Sequence, residues 1–570
     1  AKAVQRVPYI APYARATEVA ANAIDGIASA YGYSRPIDAA GMSKYVPIYA
    51  GDMATTNTPD TSSKLTLDVK QELSIDPRIT GLSAEDELSI ISVAQRESYL
   101  YQTRMIQSDG ATSLLCNHRV DPMACRSNVA MTGVGEYFMP ACAIAAMPFK
   151  YWTGSLKYRM MIVASPFHKG RLRLTYDPNF CTNEGASEYN ITYTKIIDIA
   201  QTRDISFTVG AGQSTTLMDI PQIGQDLGQM DESQFISQSR FLTKQEVGGN
   251  GTISLEVLNP LVAPDPPNDS GIDILWFVSA GPDFKVYAPA AQNLENSVLG
   301  EWGVPIPQSG YGFSDDKSPG EMNSSENDQS FHLGPPVLTS DNVAAVFCGE
   351  NISSFRALLK RYSYQESLVN VAEGSYLCQS IHDRPRLPPI PGFGSPASEG
   401  SIPVVGYFSG FVFNPLNPLN LLSACYVATR GGARFKIIAA VGGNSGTSYA
   451  IHSVTRTSVS AVKDGINLID VLTESSGSLT YNRTLILGGA DYGSGRQCQA
   501  AMQNPVLEFE IPNYNNKRFS HSRGGVGVDS DGYTYIMSNL SANRGYADVY
   551  RSVGEDFSLH FWEYHYIIKG

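Results

Sequence analysis

Tyr151-Trp-Thr-Gly-Ser-Leu-Lys-Tyr-Arg-Met-Met-Ile-Val-Ala164 is the stretch whose reading decides the fold. Leu156, Tyr158, Met160 and Ile162 alternate with Lys157 and Arg159, and apolar residues fill every position from Met160 to Ala164. A period of two running into an apolar block predicts one strand that starts half-buried and ends buried. The order returns in Thr429-Arg-Gly-Gly-Ala-Arg-Phe-Lys-Ile-Ile-Ala-Ala440, with Gly431 for Gly154, Arg434 for Lys157 and Phe435 for Tyr158. Two copies of one strand predict two copies of one domain.

Spacing supports the duplication. Tyr31-Gly-Tyr-Ser34 matches Tyr311-Gly-Phe-Ser314 at an offset of 311 − 31 = 280, and Gly154 matches Gly431 at 277. Gly281-Pro-Asp-Phe284 matches Gly554-Glu-Asp-Phe557 at 273. A period this long is no solenoid repeat; it predicts two homologous domains in tandem.

The chain has 570 residues, more than one hydrophobic core usually serves, so two or three domains are expected. Charged residues make up 17%, below the usual quarter, which suggests a surface covered by partners. The 51 Gly, 33 Pro and 31 Tyr favour strands and turns. A net charge of −13 argues against direct nucleic-acid recognition, though not against a container whose inner wall faces nucleic acid. The eight cysteines form no CxxC pair and have no His at zinc-ligand spacing, so they read as free buried thiols. The eight histidines are scattered, and no metal or cofactor is expected. No signal peptide and no apolar run near eighteen residues is visible, so a membrane-spanning chain is not expected.

Residues 1–98 read as an N-terminal arm. Arg15 to Ala30 is helical, the chain is extended to about Leu82, and a short helix opens with an acidic first turn at Ser83-Ala-Glu-Asp-Glu and ends near Ser98. Strand-and-turn pattern fills 99–289 without βαβ units, predicting an antiparallel sandwich. Its strands include 168–178, two short ones between Lys195 and Val209, 251–258 and 272–280. Residues 290–342 are patternless and read as a linker and arm, and strands resume over 343–570. Arg356, Lys360 and Arg361 lie at helical spacing; phosphates and a neighbour's acids are their candidate partners, and the net acidic chain favours the neighbour.

These pieces resemble the capsid proteins of picorna-like viruses of the dicistrovirus, iflavirus and marine algal virus type. Trp152 to Ser155 and Gly170 to Leu172 are similar to strands of that family's jelly-roll core. Gly349-Glu-Asn-Ile-Ser-Ser-Phe-Arg-Ala-Leu-Leu-Lys-Arg361 is similar to the opening of a second subunit, and Phe509-Glu-Ile-Pro-Asn-Tyr-Asn-Asn-Lys-Arg-Phe519 to a strand end within it. The resemblance implies an all-β chain: two tandem antiparallel eight-stranded jelly-roll sandwiches with extended N-terminal arms and a few short helices. It implies a structural, non-enzymatic role in the icosahedral shell of a non-enveloped RNA virus. The implied partners are other copies of the chain, a third jelly-roll protein, a small internal capsid peptide, encapsidated RNA held without sequence-specific contacts, and a host receptor. The implied location is the virion, with assembly in the host cytoplasm.

Two sites follow from the same resemblance. A viral cysteine protease that favours Gln before a small residue would cut at Gln308-Ser309, with Gln292-Asn293 and Gln329-Ser330 in the same region. Some members of the family that the chain resembles also mature by an autocleavage assigned to an Asp-Asp-Phe motif. Here the first copy reads Pro282-Asp283-Phe284 and has lost an acid; the second, Glu555-Asp556-Phe557, keeps two. Glu555 and Asp556 are therefore either a general acid/base pair or a turn before the last strand. A secreted carbohydrate-binding or carbohydrate-active β-sandwich is the alternative function, suited by the Tyr and Trp content, but no signal peptide or convincing acid pair accompanies it.

Overall fold

Gly154 divides the strand predicted over 151–164. In the computed structural model of the chain, Phe149–Thr153 and Leu156–Val163 are separate strands in different sheets. Gly154 adopts a φ of +110°, a left-handed conformation that side chains with a Cβ rarely take. The structure describes residues 53–54, 62–68, 70–73, 86–129, 135–178, 192–221, 249–264, 271–295, 298–299, 330–335, 343–369, 377–381, 392–395, 401–403, 410–412, 416–441, 450–457, 495–500, 504–514, 517–522, 532–539, 545–562 and 567–569. The expectations at Arg15–Ala30, Tyr31–Ser34, Gln308, Ser309 and Tyr311–Ser314 lie outside the described residues. Everything described falls in one unit, Tyr49–Gly570.

Eight strands of the first half are β1 (Ser98–Met105), β2 (Leu114–Arg119), β3 (Leu156–Val163), β4 (Lys169–Asp177), β5 (Tyr193–Asp198), β6 (Asp204–Val209), β7 (Thr252–Val262) and β8 (Ile272–Ala280). One sheet runs β6-β3-β8-β1 and the other β2-β7-β4-β5. Every pairing among them is antiparallel. This is the jelly-roll order.

The second half repeats it. Its strands are β9 (Ser363–Val369), β10 (Leu377–Ile381), β11 (Ala433–Val441), β12 (Ala450–Thr457), β13 (Arg496–Ala500), β14 (Val506–Ile511), β15 (Gly532–Asn539) and β16 (Gly545–Val553). The sheets run β14-β11-β16-β9 and β10-β15-β12-β13, so each strand corresponds to the one eight places earlier.

The sheets' outer edges add a core element to 290–342, the stretch read from sequence as a patternless linker and arm. Phe331–Leu333 forms a strand parallel to β6, and Leu333 is buried. Ser63–Lys64, from the first half's arm, runs parallel to β14 of the second half. Three- and two-residue strands are too short to show a period, which is why neither was legible. The helix expected from Ser83 to Ser98 is likewise shorter: it spans Ile90–Ala94, and β1 begins at Ser98.

The alternation in β3 has the predicted result, with Leu156, Tyr158, Met160 and Ile162 all buried. The buried end expected from Met160 to Ala164 does not form: the alternation runs to the last residue and leaves Val163 exposed, because only one face of the sheet meets the core. Tyr101, Tyr158 and Trp276 surround His118 in the first sandwich, and Phe207 packs on Tyr158 and Trp276 behind them. Tyr101 Oη and His118 Nδ1 are 2.9 Å apart. Burial pushes the His118 pKa down to about 3. In the second sandwich burial pushes His452 down to about 4, against the raising effect of its hydrogen bond to the Asn504 carbonyl. Both imidazoles are therefore neutral in the fold and protonate at ~6.5 when unfolded. Their contribution to stability is present above pH ~6.5 and is lost as the pH falls from there towards 3–4. Glu510 opposes it: burial raises its carboxyl above the ordinary value, which favours the fold at low pH and is lost as the pH rises. Denaturant unfolding at pH 7 and pH 4.5 is expected to show His118 alone costing about 2–3 kcal/mol over that interval. A His118→Leu chain should lose correspondingly less; an unchanged pH dependence would contradict the assignment.

Candidate functional site

The motifs matched by order in the sequence touch in space. A Cβ on Gly154 would lie 2.6 Å from the Asp283 carbonyl oxygen and 2.7 Å from Phe284 Cα. On Gly431, whose φ is +114°, a Cβ would lie 2.6 Å from the Asp556 carbonyl oxygen and closer still to Phe557 Cα. Each glycine lets the turn after β8 or β16 close onto the start of β3 or β11. The aspartate completes the clasp. Asp283 Oδ1 accepts from Ser155 N at 3.0 Å and from the Ser155 hydroxyl, and Asp556 Oδ1 accepts from Gly432 N at 2.8 Å. Backbone bonds close each turn identically: Gly281 N to Ser155 O at 2.8 Å, and Gly554 N to Gly432 O at 2.9 Å.

In the second copy this clasp gathers charge. Asp556 Oδ2 accepts from Leu73 N at 3.1 Å, so the first half's arm lies on it. Glu555 pairs with Lys360 at 2.6 Å and with Arg434 at 3.5 Å. Partial burial pushes the Glu555 carboxyl up, but the hydrogen bond and charge of Lys360, with those of Arg434, outweigh it, and its pKa lies below the ordinary value. The two predicted acids thus have separate partners. The carboxylate that crowds Asp556 is Glu510, which sequence reasoning missed. Asp556 Oδ1 and Glu510 Oε1 both come within 3.3 Å of the Cβ position beside Gly432. Glu510 is buried and held by Arg434 at 2.9 Å and Lys64 at 3.9 Å. Its one signal was a charge facing into the apolar strand Val506–Ile511.

A second contact surface joins the halves. Ser89 and Ser354 form an antiparallel bridge, flanked by Ile90 N to Ser353 O and Phe355 N to Leu88 O, both 3.0 Å. Ser89 lies nine residues before β1 (98 − 89) and Ser354 nine before β9 (363 − 354), so equivalent positions face each other as across a twofold axis. Arg356 reaches Asp86 at 3.1 Å, and the Tyr426 hydroxyl donates to the Glu87 carbonyl. Arg356 and Lys360 do meet acids, but within this chain. One apolar cluster runs from the first sandwich through Phe355, Leu358 and Leu359 to Leu421, Tyr426, Phe557 and Trp562 of the second half.

The described residues hold no group of three or more His, Cys, Asp or Glu placed to share a metal ion. The cysteines described are free, with Cys116, Cys125, Cys142 and Cys425 buried.

Residues 340–562 match the family described as "CRPV capsid protein like". The chain is 26% identical over 281 residues to the structural polyprotein of cricket paralysis virus, covering 48% of this chain and 29% of that protein. It is 23% identical over 223 residues to the genome polyprotein of deformed wing virus, covering 38% of this chain and 7% of that one. Among solved structures, a marine algae virus of the order Picornavirales is 31% identical, over 45% of this chain and 96% of that one, at a TM-score of 0.37. The chain spans less than a third of the length of the curated relatives it matches.

Each clasp glycine is a test of the geometry. Gly154→Ala and Gly431→Ala are each expected to destabilise the chain by about 2–4 kcal/mol, from left-handed strain plus a backbone clash. Gly110→Ala, where a Cβ meets nothing within 4 Å, serves as the control. Unfolding midpoints equal to the control's would contradict the clasp.

Proposed function

The chain belongs to the capsid proteins of picorna-like viruses, and from that premise we propose that its two jelly rolls are two subunits of one icosahedral shell, joined as a precursor. The feature that carries this proposal is the pair of matching sandwiches locked by exchanged arms, in a chain whose second half matches a capsid family. The subunits are 99–289 and 343–570, each preceded by an arm, 1–98 and 290–342. A third jelly-roll protein and further copies of the chain complete the particle, with RNA inside contacted without sequence readout and a host receptor outside. The chain acts in the virion after assembly in the host cytoplasm. Its work is association: a surface poor in charge exchanges water for neighbours.

Two cuts accompany assembly. The protease site is Gln308-Ser309. The second cut is hydrolytic, and its acids are Asp556 and Glu555 with Glu510 beside them. The backbone resting on Asp556 is that of Leu73, so water adds across a peptide bond next to Leu73, leaving a carboxylate on one fragment and an amine on the other. The residues before that bond become the small internal peptide. Support for this assignment is the contact of Asp556 with the arm and the raised pKa of Glu510, which keeps a proton-donating carboxyl available closer to neutral pH than an exposed glutamate.

Intact-mass measurement of particles assembled with the third subunit tests both cuts. The expected species are fragments ending at Gln308, beginning at Ser309 and beginning near Leu73, and the last should be absent from Asp556→Asn particles. One species near 61.7 kDa would sink the protease site, and normal arm cleavage in Asp556→Asn would sink the acid assignment.

A further inference from the structure

The two exchanged arms present four-residue segments of the same shape and different chemistry. Ser63-Lys-Leu-Thr66 lies along β14 and Phe331-His-Leu-Gly334 along β6. They dock in the same register, for Ser63 faces Phe509 and Phe331 faces Phe207, residues that pair with the equivalent Phe435 and Tyr158. Both bury the leucine in third place, Leu65 and Leu333.

The other positions differ, and each difference has a receiving surface. The Phe331 ring stacks on Phe207, with centroids 5.7 Å apart and planes 18° apart, and Lys195 Nζ lies 5.0 Å from its centroid. It stands at a recess lined by Arg171, Ile197 and Ile205. In the second half Phe509 packs on Phe435 and Tyr533 of its own sandwich, as Phe207 does on Tyr158 and Trp276. The residue facing Phe509, however, is the small, exposed Ser63, which adds no third ring. Gly334, at φ +107°, sits where a Cβ would come within 2.8 Å of the Tyr176 ring. That ring is fully buried and its hydroxyl donates to the Asn250 carbonyl at 2.8 Å, so it is not free to move aside. The first arm has β-branched Thr66 in this place. Conversely, Lys64 donates to the Gln71 carbonyl at 3.0 Å and pairs with Glu72 at 3.3 Å and Glu510 at 3.9 Å, where the second arm has exposed His332.

We propose that the β6 edge of the first half, with Phe207, Lys195 and Tyr176, is a docking site selective for an aromatic-x-Leu-Gly segment. It admits the second half's arm and refuses the first half's own, so that unlike halves pair with one another and like halves do not. The selectors are Phe331, which fills the edge, and Gly334, which alone fits against Tyr176. This does not depend on the chain's role in a shell.

Hydrogen exchange of the full-length chain, followed by mass spectrometry over Ser206–Val209, reads occupancy of this edge. Gly334→Thr is expected to speed exchange there at least tenfold while β8 amides keep theirs, and Thr66→Gly should leave Ser206–Val209 unchanged. A synthetic peptide of Ser330–Pro335, added in excess to the Gly334→Thr chain, should restore protection; a peptide of Ser62–Leu67 should not. Wild-type protection in Gly334→Thr, or equal rescue by both peptides, overturns the proposal. If Gly334→Thr also exposes β8, Phe331→Ser, which only trims the ring, decides in its place. There, faster exchange confined to Ser206–Val209 supports the site, and wild-type exchange overturns it.

Discussion

An edge strand carries unpaired N–H and C=O groups along its open side, and β6 and β14 are the equivalent edge strands of the two sandwiches. The structure depends on how those edges are closed. Each is paired by the arm of the other half, in parallel and in the same register, while Ser89 and Ser354 meet midway at equivalent positions. The apolar cluster follows the exchange. Leu65 of the first arm packs in the second sandwich, and Leu333 of the second arm packs in the first. The halves are therefore not two beads on a linker: each is incomplete without a segment of the other. Carrying both in one chain makes the exchange intramolecular, and the contacts stay in place if residues between the halves are later cut.

Much of this architecture was legible because it rests on residue types with few alternatives. Strand β8 spans the predicted residues 272–280, since an apolar run bounded by Gly271 and Gly281 leaves little else. Gly154 and Gly431 stood out by their repeated context, and the Asp-Phe pairs by theirs. That glycine and aspartate touch was not readable, because it needs the turn after β8 folded back over the sandwich. The break at Gly154-Ser155 had a hint in the glycine itself, which marks close backbone approach inside a strand pattern. Short strands far from their partners carried no signal at all. Phe331–Leu333 pairs with residues more than a hundred positions away, and its three residues cannot show a period.

The charged centre at Asp556 shows the same limit from the side of chemistry. Composition and order pointed to Glu555 and Asp556, but the neighbour that shapes the electrostatics, Glu510, comes from an adjoining strand, and its counter-ion Lys64 from an arm some 440 residues earlier (510 − 64 = 446). Clasp and candidate cleavage centre are one place because Asp556 holds both Gly432 and Leu73. A carboxylate that locks a turn and also touches the arm couples the closure of the second jelly roll to the position of the first half's N-terminal segment.

Cross-linking at the twofold-like contact tests the exchanged architecture most directly. Ser89 and Ser354 are a non-hydrogen-bonded antiparallel pair, whose Cα atoms stand about 4.5 Å apart, within disulfide range. In the full-length chain carrying Ser89→Cys and Ser354→Cys, mild oxidation is expected to form one intramolecular disulfide. A protease site placed between residues 310 and 325 should then leave the two halves covalently joined on a non-reducing gel and separate on a reducing one. Halves that separate without reductant, or a disulfide found only between chains, would contradict the account.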